Sequence, residues 1–148
     1  MKLDSFWEWV PLVSFGVFQF GTPLRNYKRL RPIYLPKEST IFYEKEKKRL
    51  NQFGYTLPRY WKTLRFHVDC QDRIVSVMSE KFFYKGHNLI HRSIEQIVDI
   101  LGKNYDDKED MEVFGEIIHT YTFDDLGLFL WMKNNLSETM TASSAYED

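Results

Sequence analysis

The stretch LRFHVDCQDRIVSVM, residues 64–78, constrains the fold more than any other part of this chain. Leu64, Phe66, Val68 and Cys70 alternate with Arg65, His67 and Asp69, the period of a strand with one buried face. CQDR then supplies polar turn residues, and IVSVM brings the chain back as an antiparallel partner. On this reading Cys70 is a small buried hydrophobe.

The C-terminal half repeats the pattern. IIHTYTF and LGLFLWM read as strands, with LSETMT a further candidate. Asp124 and Asp125 fall where the first two must reverse, and Gly127 gives the backbone its freedom there. That pair therefore reads as an exposed hairpin corner rather than as buried acid/base machinery. EKFFYKG adds a short strand before Gly86.

Helix signals punctuate these strands. In SIEQIVDILG, Ser93 and Gln96 have capping-box spacing, Ile94, Ile97, Val98 and Leu101 share one stripe, and Gly102 supplies the stop. Thr22 as N-cap and Pro23 at the first position predict a short helix carrying Leu24, Tyr27 and Leu30. TIFYEKEKKRLNQF, residues 40–53, reads as a lysine-rich helix closed by Gly54. KNYDDKEDMEVFGE, residues 103–116, reads as an exposed charged loop. These elements predict an α+β fold, an antiparallel sheet packed by helices, with two similar helix-then-hairpin halves. The expected organisation is a single domain, 1–148, with halves 1–80 and 81–141 and a flexible tail at 142–148.

Hydrophobic residues make up 43% of the 148 and aromatics 17%, enough for a core rich in strand-favouring rings. Cys70 is the only cysteine, so an intramolecular disulfide and a cysteine-based zinc cluster are excluded. The N-terminal segment carries Asp4 and Glu8 where a signal peptide needs positive charge, and no run is long and apolar enough for a membrane span. A reducing, cytoplasmic setting is the expectation. Net charge is −1, but it is divided: residues 21–65 hold twelve Lys/Arg against three Asp/Glu, and residues 101–148 hold three against eleven. Such asymmetry bears on partners and steering.

Chemistry-bearing motifs are sparse. His87 and His91 have zinc-helix spacing, but they precede the helix and lack the intervening Glu of a metalloprotease. On a strand, His67 and Asp69 face away from Cys70. The acidic run Asp106, Asp107, Glu109, Asp110 and Glu112 lacks the Gly and terminal Glu spacing of a calcium loop. There is no phosphate loop, nucleophile elbow or CxxC. No catalytic residue, metal or cofactor is expected.

FGTPLRNY, YKGHNLIHRSIEQIVDILG and YTFDDLGLFLW together resemble the tandem helix-plus-sheet repeats of the β-lactamase inhibitor protein and of BamE-like modules. The last two segments, in that order, are also similar to a motif pair of bacterial toxin-immunity proteins. The resemblance implies a non-enzymatic immunity protein of a polymorphic toxin system, which neutralises a cognate toxin domain by occluding its active site or substrate groove. Asp106, Asp107, Glu109, Asp110, Glu112, Asp124 and Asp125 are then the candidate partner-binding residues, steering a basic partner such as a nuclease. Trp131 or Tyr121 is the candidate aromatic anchor; alternation leaves open which strand face is buried. The alternative is a nucleic-acid-binding or regulatory module. It would use Arg25, Lys28, Arg29, Arg31, Lys45, Lys47, Lys48 and Arg49, interleaved with Tyr27, Tyr34 and Tyr43. A third is a small enzyme assembled from His67, His119, Asp69 and Asp125.

Overall fold

Aromatic and β-branched residues dominate the segments of this chain that pair, and strand takes 49% of the structure. The computed structural model describes residues 6–35, 41–43, 48–50 and 53–144. In chain order the strands are β1 (Trp9–Val10), β2 (Ser14–Phe15), β3 (Phe18–Gln19), β4 (Ile33–Leu35), β5 (Ile41–Tyr43), β6 (Lys48–Leu50), β7 (Phe53–Thr56), β8 (Leu64–Val68), β9 (Ile74–Ser79), β10 (Phe83–Tyr84) and β11 (His87–Asn88). After α1 (Ile94–Leu101) come β12 (Asp107–Val113), β13 (Glu116–Phe123), β14 (Leu128–Lys133) and β15 (Leu136–Ser143).

The expected helix-packed α+β fold is overturned. Eight strands form one antiparallel sheet in the order β12-β13-β14-β15-β9-β8-β7-β4. Among the described residues, α1 is the only α-helix, eight residues long. Leu24–Leu30 is a 3₁₀ segment rather than an α-helix. Its N-cap is Pro23, which has no side-chain bond to give, while Thr22 Oγ1 is turned back to the Gln19 carbonyl. The predicted lysine-rich helix at 40–53 is also replaced: Ile41–Tyr43 pairs antiparallel with Lys48–Leu50, and β7 begins at Phe53. Residues 40, 44–47, 51 and 52 lie outside the described residues. The thin apolar stripe of that segment, interrupted by Glu46 and Lys47, could not anchor a helix against a core. The charged loop at 103–116 is mostly strand as well. It pairs along its length with β13 from Asp107↔Thr122 to Val113↔Glu116. Its alternation is hidden in the sequence because an edge strand can expose both faces.

What repeats in the chain is a hairpin, a helical segment and a four-stranded meander. β2–β3 leads to Leu24–Leu30 and then to β4, β7, β8 and β9; β10–β11 leads to α1 and then to β12 through β15. Identical backbone clamps join each helix entrance to its last strand. Gly21 N–H donates to Ile74 O at 2.7 Å and Ile74 N–H to Thr22 O at 2.9 Å. In the second half His91 N–H donates to Ser137 O at 2.8 Å and Ser137 N–H to Arg92 O at 2.9 Å. Both Gly21 and His91 are left-handed, with φ 86° and 61°. The halves meet where β9 pairs antiparallel with β15, Met140 opposite Ser79 and Ala142 opposite Val77. Ala142 is fully buried and Ser143 is its strand neighbour, so the first two residues of the tail expected at 142–148 end the central strand, and residues 145–148 lie outside the described residues.

One sheet face carries the core. Leu64, Phe66, Val77, Phe123, Leu128, Leu130, Met140 and Ala142 all lie on it and are at most 1% exposed. The covering layer is largely aromatic. Rings of Trp9 and Phe82 lie 5.4 Å apart, Phe15 and Phe82 4.8 Å, and Phe18 reaches Phe66 in the sheet at 4.6 Å. Burying each such ring contributes about 1.5–3 kcal/mol. The α1 stripe joins this layer through Ile97, with Ile94, Val98 and Leu101 packed beside it. Its capping box closes as its sequence requires: Gln96 N–H donates to Ser93 Oγ, and Ser93 N–H to Gln96 Oε1. No described helix is long and apolar enough to cross a membrane.

Gly127 turns the β13–β14 corner at φ 62°, and a Cβ there would meet the Ser143 carbonyl. Gly102 caps α1 at φ 69° with open space around it. Gly127→Ala should therefore lower unfolding free energy by about 2–3 kcal/mol, and Gly102→Ala by only about 1 kcal/mol. Urea unfolding monitored by tryptophan fluorescence reads both, and equal losses would remove the steric part of the argument.

Candidate protein-docking surface

The period-two alternation that sends one set of side chains into the core sends the other to the opposite sheet face. Through the register, Phe129 and Trp131 of β14 share that face with Thr120 and Thr122 of β13 and with Thr139 and Thr141 of β15. Met78 of β9 lies opposite Thr141, and Arg65 of β8 opposite Met78. Phe129, Trp131 and Met78 are half-buried, stand outside the core cluster, and occupy the middle of the sheet. The two rings touch edge to face, with centroids 6.2 Å apart. Flanking hydroxyls are held down: Thr120 Oγ1 donates to the Glu109 carbonyl, and His67 Nδ1 lies 3.4 Å from Ser76 Oγ. The result is a preformed surface of aromatic and methyl groups among short hydroxyls.

This arrangement decides between the two aromatic candidates. Tyr121 is on the core face, 7% exposed, with the Tyr105 ring edge-on at 4.8 Å. Trp131 is on the second face. Met78 and Phe129 were missed by sequence reasoning. The signal was present in LGLFLWM, whose unbroken apolar character marks a strand with hydrophobic groups on both faces.

The acidic candidates fall into two groups. At the β13–β14 corner Asp106 accepts the Asp124 backbone N–H at 2.7 Å, and Lys103 Nζ bridges Asp106 at 3.7 Å and Asp125 at 3.1 Å. Asp124 and Asp125 form the 3₁₀ corner itself. Asp106 and Asp124 thus fasten the turn, and Asp125 anchors a lysine. The others run along edge strand β12 and point alternately: Asp107 and Glu109 toward the face bearing Trp131, Asp110 and Glu112 toward the core side. Asp110 accepts a 2.5 Å hydrogen bond from His119 Nδ1 across the strand pair. The seven carboxylates therefore make an edge and a corner rather than one patch.

The basic segment lies at the other end of the sheet order, where β4 is the edge strand. With strands about 4.8 Å apart, acidic and basic edges are separated by on the order of 30 Å. Tyr27 is a packing residue, its ring 5.1 Å from Phe18 and its hydroxyl accepting the Gln19 N–H. Tyr34 lies against Tyr55 at 5.5 Å. Tyr43 is on β5 and Lys48 and Arg49 on β6; Lys45 and Lys47 lie outside the described residues.

The dispersed catalytic set is not brought together. His67 on β8 faces the second surface, His119 on β13 the core side, with three strands between. Asp69 is occupied by its own turn, accepting Gln71 N–H, Arg73 N–H and Arg73 Nε–H. Cys70 is exposed in that turn, because β8 ends at Val68 before the alternation reaches it. His87 lies on β11 and His91 in the left-handed turn before α1. Among the described residues no three His, Cys, Asp or Glu side chains gather at metal-binding distance.

No protein-family model, curated protein or solved structure matches the chain. The resemblance to immunity proteins therefore rests on the segments that carry it.

The His119 hydrogen bond, reinforced by the charges of His119 and Lys108, holds the Asp110 carboxyl below its ordinary value. A lowered carboxylate stabilises the fold above its unfolded-state pKa and ceases to as pH falls through the folded value. In His119→Ala the Asp110 midpoint should rise toward that of a free aspartate, read by side-chain carboxyl NMR. An unmoved midpoint would assign the shift to another source.

Proposed function

We propose that this chain is a non-enzymatic immunity protein that binds a toxin domain and covers its active site or substrate groove. The observation that carries the reading is the second sheet face, with Trp131, Phe129 and Met78 half-buried at its centre and outside the core. A fold has no need of an aromatic pair there, whereas rigid aromatic anchors ringed by hydroxyls are what protein interfaces use. Asp107 and Glu109 border the same face and give it a negative rim, which favours a basic partner. Nuclease domains are basic because they grip phosphate, so a blocker with an acidic border matches them electrostatically. Segment resemblance supplies the toxin; the face supplies the means.

One observation favours the nucleic-acid alternative. Trp61 and Tyr34 are 55% and 46% exposed on the basic half, and Lys62 lies over the Trp61 ring. Retention of RNA or DNA at moderate salt, abolished by Trp61→Ala with Lys62→Ala, would move the function to that half.

The direct test is co-expression with a toxin domain encoded beside this chain, followed by binding and toxin-activity measurements. Trp131→Ala should weaken the complex by about 2 kcal/mol or more, mainly through faster dissociation, with folding intact. Reversing Asp107 and Glu109 to lysine should instead slow association and flatten its salt dependence. Asp106 and Asp124 are left out of that variant because they fasten the corner. A complex indifferent to Trp131 would discard this face as the docking site.

A further inference from the structure

We propose that the tip of the β12–β13 hairpin is a plug that enters an apolar, cation-rimmed pocket on a partner protein. The proposal rests on the reading that this chain acts by protein contact, and adds which group leads and what chemistry receives it.

Val113 and Glu116 pair across a two-residue turn, Phe114-Gly115. Both turn residues are left-handed, with φ 51° and 80°. Asn-Gly or Gly-Gly meets that geometry with little strain, whereas a phenylalanine at the first position is strained. Phe114 is also fully in water, at 102% exposure, and Ile117 beside it is 62% exposed. Neither side chain is buried by the fold, and a residue that breaks a local rule without a packing return marks a candidate functional position.

The surroundings of the ring define its receiver. Glu112 and Glu116 lie on opposite faces of the hairpin just behind the tip, and Asp110 follows Glu112 along the edge. Lys133 Nζ meets Glu116 at 2.7 Å, leaving the collar acidic on balance. A second copy meeting it tip to tip would set carboxylate against carboxylate, and phosphate-bearing surfaces would be repelled in the same way. An apolar cavity the size of a phenyl ring, bordered by lysine or arginine, satisfies both ring and collar.

The test uses the full chain and a synthetic pocket: β-cyclodextrin carrying ammonium groups on one rim, with the neutral and carboxylated hosts as comparisons. NMR titration should place binding at Phe114, Gly115 and Ile117. The ammonium host should bind about tenfold more tightly than the neutral one and the carboxylated host least, in keeping with charge-complementary docking. Phe114→Ala should abolish these shifts without lowering the melting temperature, and Glu112→Gln with Glu116→Gln should remove the ammonium preference. Equal affinity for neutral and ammonium hosts would overturn the proposal. So would binding mapped to Trp61 or Tyr34, or a melting temperature that falls in Phe114→Ala, since the ring would then serve the fold. Failure here leaves docking through Trp131 standing; an indifferent Trp131 with a positive host titration removes the face and leaves the plug.

Discussion

Everything in this structure depends on the pairing of β9 with β15. Each half of the chain builds a four-stranded meander from local turns, and neither meander has a face wide enough to bury its own apolar residues. Laying their last strands side by side, Thr141 opposite Met78, joins the two faces into one. On the core side the junction is lined by Val77, Ser79, Met140 and Ala142, all fully buried. Small side chains at Ser79 and Ala142 leave room there, and the Ser79 hydroxyl is spent on the Lys81 carbonyl, so its burial leaves no unpaired donor. On the other side the same junction sets Met78 beside the row that contains Trp131. The core and the exposed platform are two consequences of one register. A one-residue slip would exchange them.

The second layer explains why so little helix is needed. Trp7, Trp9, Phe15, Phe18 and Phe82 sit on short strands and turns, and their rings fill the space that two helices would fill in an α+β protein. Large flat side chains bury much area per residue, so two-residue strands suffice to hold them. Among the described residues only α1 is α-helical, because only there do capping box, apolar stripe and left-handed stop coincide.

What could be read in advance follows from the same physics. The β8–β9 hairpin, the α1 caps and the Asp124-Asp125 corner were legible because each is specified within a dozen residues. The lysine-rich segment misled because helix propensity favours Glu and Lys, while Ile41–Tyr43 and Lys48–Leu50 pair with each other. β12 was invisible as a strand because its partner lies on one side only and water on the rest, so no hydrophobic period marks it. Cys70 was misplaced because alternation was carried one residue pair beyond the point where Asp69 starts the turn. The platform was half legible: Trp131 was a candidate alongside Tyr121, and only the register assigns them to opposite faces.

A sheet of this width has two edge strands, and an exposed edge strand is a template for pairing with another molecule. At one end β4 is three residues long, too short to template much. At the other β12 is seven residues long but carries Asp107, Glu109, Asp110 and Glu112 on both of its faces against the single cation Lys108, so an identical strand laid against it brings mostly acidic side chains together. The two edges are blunted by different means, and stacking of copies through backbone hydrogen bonds is suppressed at both. The proposed contacts with another protein use the two places where apolar groups on a rigid support stay outside the core: the middle of the second face and the tip of its acidic hairpin. In the proposed function the charge that protects the edge is the same charge that selects what approaches the face.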